Sequence, residues 1–375
     1  METVTWAQAL AWRMRRQYVE SPSGASAVEV AGRLAGVQAQ VASAADLAVR
    51  IRQYAPSGTA SAVASGTASA VEFGTAAAVE FGTAAAVASG ALVKTWAMRG
   101  TLHLLPAGDA PAYLALCAAP RTWEKKSWQK NFGATPGDVE AIAEAARAAL
   151  ADGTPLTREQ LTTAIVEETG STHLAEVLGS GWGPLLKPLA WTGVLCHGPS
   201  RGNRVTFVRP PWESLPPVED AARTVVRAFL GAHGPATPEA FDAWLVRSAN
   251  RKKDVRAWFE AAGLAEVDVE GTPMFVLDDH LDDLLSTEPS ESVRLLGPFD
   301  QYVLAGGTGS PHLVPPAHRS AVSRTAGWIS PVVLFQGRVA GVWDAADPSA
   351  APTLFEDVPV PALNSELDRV RALPA

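Results

Sequence analysis

Cysteine is scarce: Cys117 and Cys196 are the two in 375 residues. They lie far apart and outside any C-x-x-C pair, so neither a disulfide framework nor a zinc ribbon has ligands to build on, and no metal is implied. Long apolar runs are also missing. Gly, Ser or Thr interrupts each one well short of the roughly 18 residues that a membrane helix needs. The N-terminal METVTWAQALAWRMRRQ is a mixed amphipathic stretch without a secretory pattern, so a cytoplasmic protein with no membrane partner is expected. The chain has no G-x-S-x-G, no Walker A, no helix-opening G-x-G-x-x-G and no H-E-x-x-H, which removes the support for most familiar enzyme classes and for a cofactor. An excess of positive charge is absent too. The net charge of −8 argues against a broad basic coat, the cheapest sign of nucleic-acid binding.

What is present describes a globular chain. Apolar residues make up 47% and charged residues 19%, near the soluble average, and the length allows two or three compact units. Basic residues cluster locally: Arg13, Arg15 and Arg16; Lys125, Lys126 and Lys130; Arg251, Lys252, Lys253 and Arg256; Arg319 and Arg324. A positive groove on an acidic body would need such clusters, although each alone is more often a solvated helix face. Residues 58–90 repeat an octamer of the form GTA(S/A)AV, too short for a solenoid unit and dominated by Ala, Gly and Ser; we read it as an expanded surface connection.

Around this insert one local grammar recurs: amphipathic helices, then a Gly-containing hairpin. The first unit predicts helices near 5–19, 26–36 and 43–53, with Thr5 and Ser43 as N-caps and with Trp6, Leu10 and Met14 on one face. The strand-like TLHLLP at 101–106 closes it. In the second unit Thr135 before Pro136 and Thr157 open helices, and VLCHGPSRGNRVTFV reads as a hairpin. In the third, Thr237 before Pro238 opens a helix, NRKKDVRAWFEAAG follows, and LAEVDVEGTPMFVL turns at Gly271. A final strand pair, ISPVVLF and RVAGVW, flanks Gln336 and Gly337. Helices followed by a hairpin describe a winged helix, whose recognition helix can enter the major groove. The expected fold is therefore α+β, with three tandem winged-helix units around a DNA-binding groove: 1–120 with the insert, 121–212 and 213–285, then a small C-terminal β unit at 286–375. A mixed α+β fold with no DNA role would give the same local pattern.

Gln38 and Gln40 in GVQAQVA are two residues apart, so in an extended stretch both amides point the same way and could hold one water. Taken bare, the pair is a weak signal and reads as surface hydration. Yet GVQAQ, WAMRGTLHLLP at 96–106, GPFDQYVL at 297–304 and AHRSAVSRTAGWISPVVLFQGRVAGVW at 317–343 occur in one order. Together these segments resemble the AlkZ/YcaQ-type family of bacterial winged-helix DNA glycosylases over all but the insert and the extreme C-terminus. The resemblance implies three tandem winged helices bent around double-stranded DNA carrying alkylated purines, in a monomer. It also carries the family's catalytic motif (Gln, an apolar residue, then Gln or Asp) onto Gln38, Ala39 and Gln40. With Gln at the second position it implies bulky N7-guanine adducts or interstrand crosslinks, as in self-resistance of an antibiotic producer.

The chemistry suits amides. A base alkylated at purine N7 is cationic, so its glycosidic bond is weakened and its departure needs no general acid. Two oriented amide oxygens could hold the water and shelter an oxocarbenium-like transition state. Further DNA-binding candidates are Arg99 and His103 near the pair, Arg201 and Arg204 in the second hairpin, Lys252 and Lys253, and His318, Arg319 and Arg324; long cations at such places reach phosphate, while Arg99 and His103 read equally as capping or core-edge residues and Arg201 and Arg204 as simple turn solvation. Trp328 reads as a core aromatic rather than a base-stacking wedge. A non-catalytic winged-helix regulator or damage sensor would share the hairpins and basic clusters but gives no reason for the glutamines. A protein-interaction module fits the acidic charge.

Overall fold

Threonines and a serine cap several of the helix starts. In the computed structural model, which describes residues 1–53, 81–179 and 183–374, Thr5, Thr135 and Thr157 each accept the N3 backbone N–H while the N3 side chain (Gln8, Asp138, Gln160) reaches back to the cap. Thr237 accepts from the Ala240 N–H at 3.1 Å, with Pro238 in the first turn. Ser26 completes another such box with Glu29. Ser43 does not cap: the third helix is Ala42–Arg50 and Val41 heads it. The chain leaves the strand Val37–Gln38 still extended at Val41 and turns at once, which places Ser43 inside the first turn.

The fold mixes helices with several sheets, as expected. A six-stranded sheet runs in the order Val37–Gln38, Leu102–Pro106, Leu92–Trp96, Cys196–Arg201, Arg204–Val208, Leu156–Thr157. It joins the first hairpin (92–106) to the second (196–208) through the pairing of Lys94 with His197. The third hairpin, Leu264–Val269 with Thr272–Leu277, turns at Gly271 (φ 87°) and follows helices Val218–His233, Pro238–Val246 and Lys252–Glu260. Its outer neighbour is the N-terminal strand Glu2–Val4, parallel to it and unforeseen from sequence. The last sheet is four-stranded, Val293–Leu296, Val332–Phe335, Arg338–Val342 and Thr353–Leu354, with a turn at Gln336 and Gly337. Helix Val360–Arg371 covers it with Leu363 and Leu367.

Sheets and cores are thus built across the sequence-level units. Helix Trp6–Arg16 buries Leu10 and Met14 among Leu296, Val303 and Val332 of the C-terminal unit, and Ala9 and Trp12 among Val267 and Val276 of the third. At about 2–3 kcal/mol per fully buried large apolar side chain, this helix acts as a wedge holding two distant units together. Most of the octamer repeat (54–80) lies outside the described residues. Its described end is anchored at Gly82 and Thr83 and otherwise lies at the surface: the Gly82 N–H donates to Gln53 Oε1, Thr83 donates to Asp46 through its N–H (2.8 Å) and hydroxyl (2.9 Å), and Ala84–Ala88 is helical. Among the described residues no helix is long and apolar enough to cross a membrane, and no cluster of His, Cys, Asp and Glu could hold a metal ion.

Candidate active site

The glutamine pair lies at the edge of the six-stranded sheet. Gln38 pairs with His103 in the ladder, and His103 pairs with Thr95, so these side chains share one sheet face. Just beyond Gln38 the Ala39 N–H donates to the Leu102 carbonyl at 2.7 Å, which carries the pairing forward and presents Gln40 to the same stretch. Gln38 is 6% exposed, whereas Gln40 is solvent-exposed. Both carboxamide oxygens turn toward Thr101 and Leu102: Gln38 Oε1 lies 3.5 Å from the Thr101 hydroxyl, and Gln40 Oε1 accepts the Leu102 N–H at 3.4 Å.

Arg99 fixes Gln38. The loop between the strands of the first hairpin holds Arg99 at φ 57°, a left-handed conformation that costs an L residue about 1 kcal/mol or more. From there Nη2 donates to Gln38 Oε1 at 3.0 Å and Nη1 to the Trp244 carbonyl at 3.1 Å. A guanidinium has only donors, so the facing Gln38 atom is its oxygen and the amide orientation follows. Burial, with Arg247 nearby, lowers the Arg99 pKa to about 10, so it stays charged at neutral pH.

Of the two roles open to His103, phosphate contact or a place at the core edge, the structure takes the second: it is wholly buried in the sheet. Its Nδ1–H donates to the Thr101 carbonyl at 3.0 Å, and Nε2 has no partner among the described residues. Burial, with Arg99 adding, pushes its pKa down to about 3, so the ring is neutral and cannot offer phosphate a charge. It serves as a polar floor beside Gln38, with the equally enclosed Thr95 hydroxyl opposite. Among the described residues no carboxylate hydrogen-bonds to Gln38, Gln40, Arg99 or His103, so the bonded group consists of neutral polar side chains and one cation.

The remaining candidates are scattered over the surface. Arg201 and Arg204 are exposed on the second hairpin, where Arg201 Nη1 lies 3.4 Å from Gln160 Oε1. Lys252 and Lys253 are exposed in the first turn of their helix. Arg319 and Arg324 are exposed on the C-terminal unit, but His318 is half-buried and stacks on Phe355 at 4.1 Å. Trp328 is no core aromatic: it is 41% exposed, edge-on to Phe299, beside Ala326 in a left-handed conformation. Sequence reasoning missed Thr101, although it stood inside the quoted MRGTLH, and missed Trp244, which no local signal connects to Gln38.

Helix-and-hairpin units here present two amides at one edge of a sheet. The comparisons give the family. Residues 76–354 match the model of the DNA glycosylase AlkZ-like family. The chain is 46% identical to the interstrand DNA cross-link repair glycosylase of Streptomyces sahachiroi, over 98% of this chain and 95% of that protein. Its fold matches the solved structure of the Streptomyces sahachiroi DNA glycosylase AlkZ with a TM-score of 0.88, covering 99% of this chain and 96% of that one. The chain belongs to the AlkZ-like DNA glycosylase family, and as such it is an enzyme that hydrolyses N-glycosyl bonds in DNA. Gln38 and Gln40 precede the family match and lie within the longer alignment only.

Proposed function

We propose that this glycosylase releases guanine alkylated at N7, including bulky adducts and interstrand crosslinks, and that Gln38 and Gln40 hold the attacking water. One observation carries the reading: two neutral amides converge on Thr101 and Leu102, one of them locked by Arg99, with no acid bonded to the group. Gln40 Oε1 keeps a second lone pair, and Gln38 Oε1 keeps one when the Thr101 hydroxyl donates to the Met98 carbonyl at 3.1 Å instead; these are left for the water and for the positive charge that develops on the sugar. An uncharged base would need a proton to leave, and the bonded group holds no carboxylic acid to give it; the lesion's own charge would then provide selectivity. The cross-link repair named for the 46% identical relative supports crosslinks as substrates. An open groove between winged-helix units would admit a base that is tied to the opposite strand, and resistance to an alkylating antibiotic is the role that fits. The exposed Arg201, Arg204, Lys252, Lys253, Arg319 and Arg324 are proposed to contact phosphate.

Single-turnover release of N7-methylguanine from duplex DNA, read by alkaline cleavage at the abasic site, tests the assignment. Gln38→Ala and Gln40→Ala should each slow release by about two to three orders of magnitude, as removal of a single oxyanion donor does, with duplex affinity intact. Wild-type rates in both variants would overturn it. Release of one strand from an N7-linked duplex tests the crosslink reading separately.

A further inference from the structure

Arg99 faces a second neighbourhood besides Gln38. It is one wall of a pocket of about 220 Å³ whose other cations are Lys187 and Arg247 and whose rings are Trp128, Phe132 and Trp191. This charge is of one sign. No Asp or Glu lines the pocket, and among the described residues neither Lys187 nor Arg247 has a carboxylate partner. Burial and the nearby Arg247 lower the pKa of both Lys187 and Arg99, so the cations repel one another across the space. Arg99 and Lys187 are half-buried and Arg247 is exposed; like charges held this close without a counter-charge are costly, and an anion seated among them removes that cost.

The backbone holds the cluster in place. Arg247 and Ser248 both adopt left-handed conformations (φ 56° and 60°) at the end of helix Pro238–Val246. Strain of this kind at non-glycine residues persists where the surroundings impose it and clusters at binding sites. Gly100 (φ 69°) completes the wall, where a Cβ would lie 3.6 Å from both Lys187 Nζ and the Trp191 ring. The Trp191 indole N–H is enclosed and has no acceptor among the described residues. Trp128 and Phe132 sit with ring centroids 4.9 Å apart.

We propose that this pocket receives one nucleotide displaced from the duplex, its phosphate between Lys187 and Arg247 and its base against Trp128, Phe132 and Trp191. The cations alone would suit any phosphate. The aromatic lining selects an unstacked base, because bases within a duplex do not expose their faces and aromatic side chains bind those that do. Arg99 then touches both the displaced nucleotide and Gln38, so occupancy of the pocket would reinforce the orientation of that amide. The inference rests on the reading of Gln38 as part of the active site only in this last coupling; nucleotide capture stands without it.

The test uses the full chain and two duplexes, fully paired or carrying one bulged unpaired guanine, with dGMP, deoxyguanosine and inorganic phosphate as small probes. The wild type should bind the bulged duplex at least about tenfold more tightly, since each charge-assisted hydrogen bond is worth about that much. dGMP should quench tryptophan fluorescence at lower concentration than either deoxyguanosine or phosphate. Lys187→Met and Arg247→Asn should each abolish the bulge preference while retaining binding to paired duplex; Asn suits the left-handed backbone. Lys187→Gln is the second choice if the Met variant does not fold. Equal affinity for both duplexes in the wild type, a preference that survives in these variants, or dGMP and phosphate binding alike would overturn the proposal. Gln38→Ala separates the two readings: it should lose base release and keep the bulge preference.

Discussion

Arg52 and Asp300 meet in a two-point ion pair with neither side chain exposed, Nη1 to Oδ2 at 2.7 Å and Nη2 to Oδ1 at 2.8 Å. The remaining guanidinium donors reach the Gln17 and Ala48 carbonyls, and Asp300 also accepts the Tyr302 N–H. The pair therefore clamps the end of the helix that follows Gln40 to the C-terminal unit. A buried pair is little better than a well-packed apolar replacement, but breaking one leaves an uncompensated charge. Asp300→Ala is expected to cost about 3–5 kcal/mol in urea unfolding. Arg52→Met with Asp300→Leu should recover much of that loss. A single variant as stable as the wild type would show that the clamp contributes nothing.

Acid should unfold the protein through its buried histidines. His103, His197 and His233 all have pKa values lowered to about 3, chiefly by burial. Between their ordinary value of 6.5 and about 3 the unfolded chain binds protons that the folded chain refuses, so stability falls as pH drops through that window. Near pH 5 unfolding should take up roughly three protons from these groups, a slope of about 4 kcal/mol per pH unit. Urea midpoints measured from pH 7 to 4 check this; a flat profile would contradict the burial of these rings.

Salt should report the third unit's share of the DNA path. Lys252 and Lys253 are exposed, and phosphate contacts make affinity fall as salt rises, by about 0.9 in log–log slope for each phosphate neutralised. Lys252→Ala with Lys253→Ala should lower that slope by about 2 and weaken all sequences alike. An unchanged slope would take this helix off the path.

What the sequence revealed was mostly local. Thr5, Thr135, Thr157 and Thr237 announced their helices because a cap and its partner lie within three residues of each other, and the turn at Gly271 follows from glycine's access to positive φ. The strand Glu2–Val4 was invisible because its partner lies some 260 residues away, and the fusion of two hairpins at Lys94 and His197 was hidden for the same reason. Ser43 misled because the exit angle of a strand, not the cap preference, set where the helix began. At the site, the spacing of Gln38 and Gln40 was legible. The clamp by Arg99 was not, since it depends on a left-handed residue 61 positions away. His103 was ambiguous in the sequence, fit for phosphate or for the core edge, and the ladder that buries it decides for the second.

Arg99 offers the sharpest test of how Gln38 works. Its guanidinium is the charged donor to Gln38 Oε1, so Arg99→Met would leave the amide free to rotate and the Trp244 carbonyl without that partner. If orientation of the amide is what counts, base release should fall by about 10- to 100-fold, the worth of one charge-assisted hydrogen bond, with duplex affinity almost unchanged. A phosphate anchor would behave differently, raising Kd and sparing the single-turnover rate. Arg99→Lys should recover part of the rate, because an ammonium keeps the charge but not the fixed two-branched geometry. The pH profile adds a readout that a purely structural role would not move. The amides do not titrate and His103 stays neutral above about 3, so the rate should be flat from mildly acid to mildly alkaline pH. Arg99, lowered to about 10, loses its charge as pH rises through that value, and the wild-type rate should decline there. In Arg99→Met the decline should vanish; if it persists unchanged in the variant, some other group sets it and Arg99 does not act through Gln38.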